Sequence, residues 1–344
     1  MRIMECTIRD GGYAIDFQWP PDEIEQIVRG LADAGFDYIE VGHGLGLGAS
    51  RTFTPARCSD EEMAAVAVAA RGSAKIGAFF IPGVGTADDL RRFRDAGADF
   101  VRVGTDVSNS QSSLEFVDLA ASLGFQVFYN FMKSYAEQPF ELLQRAIPIV
   151  EHGATTVSVV DSAGGMLPSQ VAAYVEVLKA GLDAEVGFHG HNNLLLANAN
   201  SLAAVQAGAS VIDTTLLGIG RGGGNAQTET MLVVFEKAGY PTGINPLQVA
   251  KLAEQFVSAK PTRLKGANEL ELIYGFALFH SGFTKRVQDV AAAYGIPYQE
   301  LILEVSRYAK EHPSQALIEE VASQLQRRGR VEIHFPKFFH KSWN

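Results

Sequence analysis

Cysteine is nearly absent. Two residues in 344, Cys6 and Cys58, cannot supply the disulfide framework of a small secreted domain, and such sparse use fits a reducing compartment. Cys6 falls inside an apolar stretch and reads as a packing residue rather than a nucleophile. Long apolar runs are missing too. Nothing approaches the roughly 20 residues that span a bilayer, and Met1 to Cys6 lacks the apolar core of a signal peptide. The expectation is a cytoplasmic protein with no membrane partner. Basic excess is also lacking: 29 Lys and Arg against 39 Asp and Glu give a formal charge of −10, which argues against nucleic acid as a partner. No Gly-x-Gly-x-x-Gly follows the first apolar strand, so the dinucleotide-binding fingerprint is absent.

What is present is a repeat. Ala34-Gly35-Phe36-Asp37-Tyr38-Ile39-Glu40-Val41-Gly42 is echoed from Ala96 to Gly104, from His152 to Val160 and from Ala207 to Asp213. Each echo follows an amphipathic stretch. Gly35, Gly97, Gly153 and Gly208 stand where a helix ends in a left-handed residue, and the apolar run after each reads as a buried parallel strand. Filling the intervals gives eight strands, at about 2–9, 38–42, 75–81, 100–104, 125–131, 155–160, 185–190 and 211–215, with a last helix at about 227–238. Eight such units in roughly 240 residues match an α/β fold of the (β/α)8 TIM-barrel type. A doubly wound open sheet is the alternative, but it needs a topological switch point that this regular alternation does not suggest. Beyond about residue 240 the rhythm stops at Pro241 and Pro246. Helices are expected at about 246–259, 268–280, 282–294, 298–310 and 314–327. The division expected is a barrel over 1–240, a C-terminal helical domain over 241–330 and an aromatic, basic tail over 331–344. That tail either covers a groove or subunit partner or packs loosely.

Polar clusters fall at the C-terminal strand ends, the face that carries the active site in such barrels. Gly187-Phe188-His189-Gly190-His191 ends a strand, and its period of two points both imidazoles to one side. Arg9-Asp10 ends the first strand, and its carboxylate completes a His/His/Asp set able to hold a divalent metal with positions left open. Such a centre chelates a 2-oxo acid and acts as a Lewis acid on the enolate formed when the adjacent C–C bond breaks. Arg9 is a natural second stabiliser of the enolate oxygen; its plainer reading is a rim salt bridge to Glu40 or Asp161. No Lys is expected at a C-terminal strand end, since Lys75 begins its strand, which favours the metal route over an imine. Gly218 to Asn225 is either a phosphate cradle or a turn that lets backbone approach a metal shell.

These motifs resemble the metal-dependent pyruvate aldolase and lyase barrels, the DRE-TIM or HMG-CoA lyase-like metallolyases, and within them the 4-hydroxy-2-oxovalerate aldolase group. The resemblance runs through Thr7-Ile8-Arg9-Asp10-Gly11, Glu40-Val41-Gly42-His43-Gly44, Pro82 to Thr86, Asp161-Ser162-Ala163-Gly164, His189 to Leu194, Gly218 to Asn225, and Tyr274 to Tyr294. It implies an aldolase that cleaves or forms a 4-hydroxy-2-oxo acid. It implies a divalent metal on Asp10, His189 and His191, usually manganese, with magnesium, cobalt and zinc also suited to the ligands. It assigns Arg9 to the enolate and Ser162 to pyruvate positioning, and His43 and Asn225 join Ser162 as substrate-binding candidates. It also implies association through the C-terminal helices, as a homo-oligomer or with an acylating aldehyde dehydrogenase.

The departures fall around the presumed pocket. Typical members place a His base three residues after the motif Asp, where this chain has Tyr13, and a Tyr in the C-terminal domain, where it has His280. The exchange makes Tyr13 and His280 the candidate acid/base pair. Imidazole is the better base near neutral pH and a phenol the poorer one, so His280 is expected as base and Tyr13 as its hydrogen-bonding orienter or the alternate acid. The usual His-Gly-Asp-Gly becomes His43-Gly44-Leu45-Gly46, and two family histidines become Asp106 and Tyr135. The competing readings are a barrel that condenses an acyl thioester with a 2-oxo acid, and a non-catalytic scaffold.

Overall fold

A computed structural model of the chain describes residues 1–260 and 268–328; the tail over 331–344 lies outside them. Eight strands pair in parallel and in chain order, and the first pairs with the last to close a barrel. They are β1 Arg2–Glu5, β2 Tyr38–Val41, β3 Lys75–Phe80, β4 Phe100–Asp106, β5 Gln126–Met132, β6 Thr156–Asp161, β7 Glu185–Gly190 and β8 Val211–Thr214. The outer ring is α1 Pro21–Ala34, α2 Asp60–Ala70, α3 Ala87–Asp95, α4 Leu114–Ser122, α5 Pro139–Glu151, α6 Pro168–Gly181, α7 Ala197–Gln206 and α8 Thr228–Lys237. Helix α1 shows why these segments are helical. Pro21 sits at its first turn, Ile24, Ile27, Val28 and Leu31 line one buried face, and Gly35 ends it at φ 99°. The echoes repeat that ending: Gly97, Gly153 and Gly208 take φ 93°, 109° and 110°.

The barrel interior is layered by the strand period of two. Met4, Cys6, Tyr38, Phe100, Phe128 and Val211 form an apolar plug, with Tyr38 edge-on to Phe100 and Phe128 at 5.6 and 5.4 Å between ring centroids. Two residues further along the same strands, and so on the same face, stand Glu40, Arg102, Asn130 and Asp213. Arg102 is fully enclosed there, bonded to Glu40 at 2.9 Å and to Asp213. The plug closes one end, and the ion network above it is the floor of the opposite mouth.

Past the barrel come α9 Pro246–Phe256, α10 Glu269–Ala277, α11 Thr284–Tyr294, α12 Tyr298–Val305 and α13 Gln315–Arg328. The buried side chains of α9, Val249, Ala253 and Phe256, belong to the barrel's core, whereas Ile273, Val287, Leu301, Ile318 and Val321 form a separate one. We propose the division after α9 rather than at 240/241. The helical unit sits against the mouth, where Lys133 Nζ donates to the Glu311 carbonyl at 2.9 Å and Ser108 N–H to Glu311 Oε1 at 3.1 Å.

Candidate metal centre and its cavity

Strand β1 ends at Glu5, four residues short of the expected limit, and a tight turn carries Arg9 and Asp10 onto the mouth. The turn is held by the buried Glu5, which accepts from Thr7 N–H at 3.0 Å and Thr7 Oγ1 at 2.6 Å. Asp10, His189 and His191 come together, with one ligand atom from each within 4.8 Å of the others. His189 Nε2 lies 4.0 Å from Asp10 Oδ2, a spacing that two ligands roughly 2.1 Å from one shared ion can span.

Hydrogen bonds behind the three residues set their donor atoms. His189 Nδ1 pairs with Asp213 Oδ2 at 2.9 Å and His191 Nδ1 with the Gly224 carbonyl at 3.3 Å. Each Nδ1 therefore carries the proton and each Nε2 keeps its lone pair, the tautomer a metal ligand needs. Burial, partly opposed by Asp10, pushes the His191 imidazole down to about 3, so it stays neutral. Burial alone would raise Asp10, but Arg9 and the two histidines outweigh it and hold its carboxyl well below the usual range. Asn225 Nδ2 donates to Asp10 Oδ1 at 2.8 Å. Gly220 lets that amide approach, because a Cβ there would stand 2.1 Å from Asn225 Nδ2 and 2.7 Å from Asp10 Oδ1. The glycine-rich loop is thus wrapped on the ligand set, which is the turn reading and not the phosphate cradle. Two nitrogens and a carboxylate oxygen suit a divalent cation.

Arg9 bonds Glu40 Oε2 through Nε and Asp10 Oδ2 through Nη1, both at 2.8 Å. This is the expected salt bridge to Glu40, and it leaves Nη2 with no acceptor among the described residues. Arg9 lines a cavity of about 490 Å³ together with Asp10, His189 and His191. Tyr13, Ser162 and His280 line it too, so both members of the candidate acid/base pair border the same cavity as the ligand set although 267 positions separate them. Arg221 caps the Tyr13 ring, 5.6 Å from its centroid, and burial raises the Tyr13 phenol. The His280 imidazole is held well below its usual value by burial and by Arg221 and Lys133.

Other expectations need correction. His43 does not reach the cavity; Nε2 lies 3.1 Å from the Thr54 carbonyl, Nδ1 accepts from Leu45 N–H at 3.1 Å, and the ring packs on Phe17. Both nitrogens are spent on the β2 loop, whose Gly44 and Leu45 line the wall instead. Asn225 holds Asp10 rather than facing substrate, and Tyr135 is buried behind the wall. The reading that no Lys stands at a strand end fails at Lys133. It directly follows β5 at φ 57°, buried, with Nζ 2.7 Å from Asp106 Oδ2, and it lines the cavity. Its polar neighbour Ser134 and the Gly-free turn hid it; the missing signal was a cation directly after an apolar run.

A sequentially wound barrel with a carboxylate and two oriented imidazoles at its mouth defines a metal-site (β/α)8 enzyme. Residues 1–256 match the HMGL-like family, and the chain belongs to it. It is 36% identical over 331 residues to 4-hydroxy-2-oxovalerate aldolase of Moorella thermoacetica, covering 96% of this chain and 98% of that one. It is 38% identical over 327 residues to the protein of the same name from Geobacillus genomosp. 3, covering 94% and 97%. In fold it is similar to the N-terminal domain of a putative aldolase from Bacteroides vulgatus, with a TM-score of 0.69, 23% identity and coverage of 90% of this chain and 97% of that one. It is also similar in fold to the carboxyl transferase domain of Rhizobium etli pyruvate carboxylase, with a TM-score of 0.77, 14% identity and coverage of 95% and 61%. Among the described residues no helix is long and apolar enough to cross a membrane.

Proposed function

We propose that this chain is a divalent-metal-dependent aldolase, a carbon–carbon lyase that cleaves or forms a 4-hydroxy-2-oxo acid by way of pyruvate and an aldehyde. The observation that carries it is the oriented Asp10, His189 and His191 set beside Arg9, in a chain more than a third identical to curated 4-hydroxy-2-oxovalerate aldolases. A cation held by those three residues supplies a Lewis acid for the keto oxygen of the 2-oxo acid; manganese is the choice the family resemblance favours. Arg9 directs Nη2 at the same oxygen and stabilises the negative charge that grows there as the C3–C4 bond breaks. Ser162 Oγ, fixed by Lys133 N–H at 3.0 Å, orients the carboxylate. Arg102 and Asp213 hold His189 still, so this geometry is organised before substrate arrives.

His280 is the proposed base on the 4-hydroxyl, with Tyr13 its partner. Its Nδ1 accepts from Gly282 N–H at 3.2 Å, so the neutral ring carries its proton on Nε2 and presents a donor. Acting as base requires release of that long backbone bond, which is worth about 1 kcal/mol. The helical unit, which carries His280, is also the proposed surface for a homo-oligomer or an acylating aldehyde dehydrogenase. Sedimentation as a lone monomer at micromolar concentration would count against it.

Pyruvate C3 proton exchange into deuterated water tests the central reading, since it needs the metal and Arg9 but no aldehyde. Exchange should vanish after chelation, return with manganese, and be missing in His189→Ala along with stoichiometric metal. Metal-independent exchange, or full metal retention in that variant, would sink the assignment.

A further inference from the structure

The mouth has a second polar wall that the ligand set does not use. In a barrel wound in chain order β5 lies across from β1, and β4 across from β8, so the ends of β4 and β5 face the Asp10/His189/His191 set over the cavity. There Lys133 Nζ donates to Asp106 Oδ2 at 2.7 Å and to the Glu311 carbonyl at 2.9 Å. His312, brought in by the helical unit, meets the same Oδ2. Asp106 Oδ1 is left without a partner among the described residues, although Asp106 is buried and lines the cavity. Asn130, 2% exposed and also on this wall, has an Oδ1 with no hydrogen bond among the described residues. Asn109 adds a second side-chain amide.

We infer that this wall is a hydroxyl-recognising subsite for the aldehyde half of the substrate, so that the enzyme's aldehyde is a hydroxyaldehyde of the glycolaldehyde or glyceraldehyde class. The inference rests on the aldolase reading above and names the substrate class of the same site. The Asn130 Oδ1 is buried with no donor among the described residues, which is costly, and an alkyl aldehyde offers a donor neither to it nor to Asp106 Oδ1. A carboxylate or phosphate is disfavoured at this wall by the opposite argument: the Lys133 charge is already matched by Asp106, the acceptors there repel an anion, and Arg221, a further cation of the cavity, stands over the Tyr13 ring. A hydroxyl on the carbon next to the aldehyde donates to one of these oxygens and accepts from Lys133. A site built to bond a hydroxyl discriminates strongly against the analogue lacking it.

The test is condensation of pyruvate with matched aldehydes on the metal-loaded full chain: glycolaldehyde against acetaldehyde, glyceraldehyde against propionaldehyde, and glyoxylate as the anionic probe. The hydroxylated member of each pair should be favoured in kcat/KM by at least about tenfold. Asn130→Leu removes an Oδ1 that has no internal partner, so the fold is not asked to lose a hydrogen bond. It should cut the preference severalfold, and Lys133→Met paired with Asp106→Asn should bring it to near one. Because each readout is a ratio within one protein, general damage cancels. Normal pyruvate C3 exchange with no preference for hydroxylated aldehydes, or with glyoxylate the best acceptor, overturns the subsite and leaves the aldolase reading standing. Absence of metal-dependent exchange overturns both.

Discussion

The two walls of the mouth are built to different rules. On the side of β1, β7 and β8 each ligand is fixed from behind by a neighbour: Asp213 holds His189, Gly224 holds His191, Asn225 holds Asp10, and Glu40 holds Arg9. Across the cavity, among the described residues, no hydrogen bond reaches Oδ1 of Asp106 or of Asn130 at the ends of β4 and β5, and His280, Phe283 and His312 come from the separately cored helical unit. Rigidity is concentrated where charge develops, which is what electrostatic stabilisation without reorganisation requires. The opposite wall, which we propose meets the variable half of the substrate, is assembled from two units. The same fold can thus keep one reaction while its partner aldehyde changes.

The largest effect should come from the rigid wall. Arg9→Lys keeps a charge but loses the fork that joins Glu40 and Asp10 and that we propose also reaches the keto oxygen. Pyruvate exchange and aldol cleavage should fall together by about 10²-fold or more. Loss of cleavage with untouched exchange would move Arg9 out of the enolate step. His280→Ala probes the opposite wall and should divide the two assays. Cleavage should drop by about 10²-fold, the lower scale of lost general-base catalysis, while exchange continues. A parallel loss of both would erase the contrast between the walls.

Asp213→Asn acts one bond further back. It removes the carboxylate that fixes the His189 tautomer and leaves Arg102 with half its counter-charge. Metal affinity should weaken by about 10- to 100-fold, measured by competition with a chelating dye. Turnover at saturating metal should be less affected than affinity. Unchanged affinity would show that the loop carbonyl and Asn225 alone organise the centre.

How much of this the residues disclose follows from how local each cause is. The barrel was legible because helix, left-handed glycine and apolar strand recur at four echoes, and each is decided within about a dozen residues. The ligand set was legible because His189 and His191 obey the strand period, and Arg9-Asp10 ends the first apolar run. His43 was misread because a ring's direction depends on Phe17 and Thr54, which lie in other loops. Lys133 was missed because β5 runs to Met132 and its turn is closed by a non-glycine residue at positive φ, held by Ser162 and Asp106. Neither contact is visible along the chain. The place of α9 was similarly non-local: its apolar face fits α1 and α8 as well as it would fit another helix of the C-terminal unit.

The smallest effect concerns pH, and it compares the helix-facing side of β1 with the barrel mouth. Glu5 is fully buried under the Arg9-Asp10 turn, and burial, only partly offset by Thr7 and Thr228, raises its carboxyl to about 7 from an unperturbed 4.5. A carboxyl whose folded pKa is raised holds its proton more tightly when folded, so it contributes stability that is fully present below pH 4.5 and is lost as pH rises through about 7. The full span is about 3 kcal/mol. His280, on the other wall, is depressed below 6.5, so as a base it stays neutral and competent through the same interval. Between pH 6.5 and 7.5 cleavage should therefore change by less than about twofold even as unfolding free energy declines. Glu5→Gln should flatten that decline in denaturant melts while leaving metal content alone. An unaltered slope in the variant would place the pH-sensitive group elsewhere. An acid limb of kcat/KM above pH 6.5 would remove His280 from the role of base.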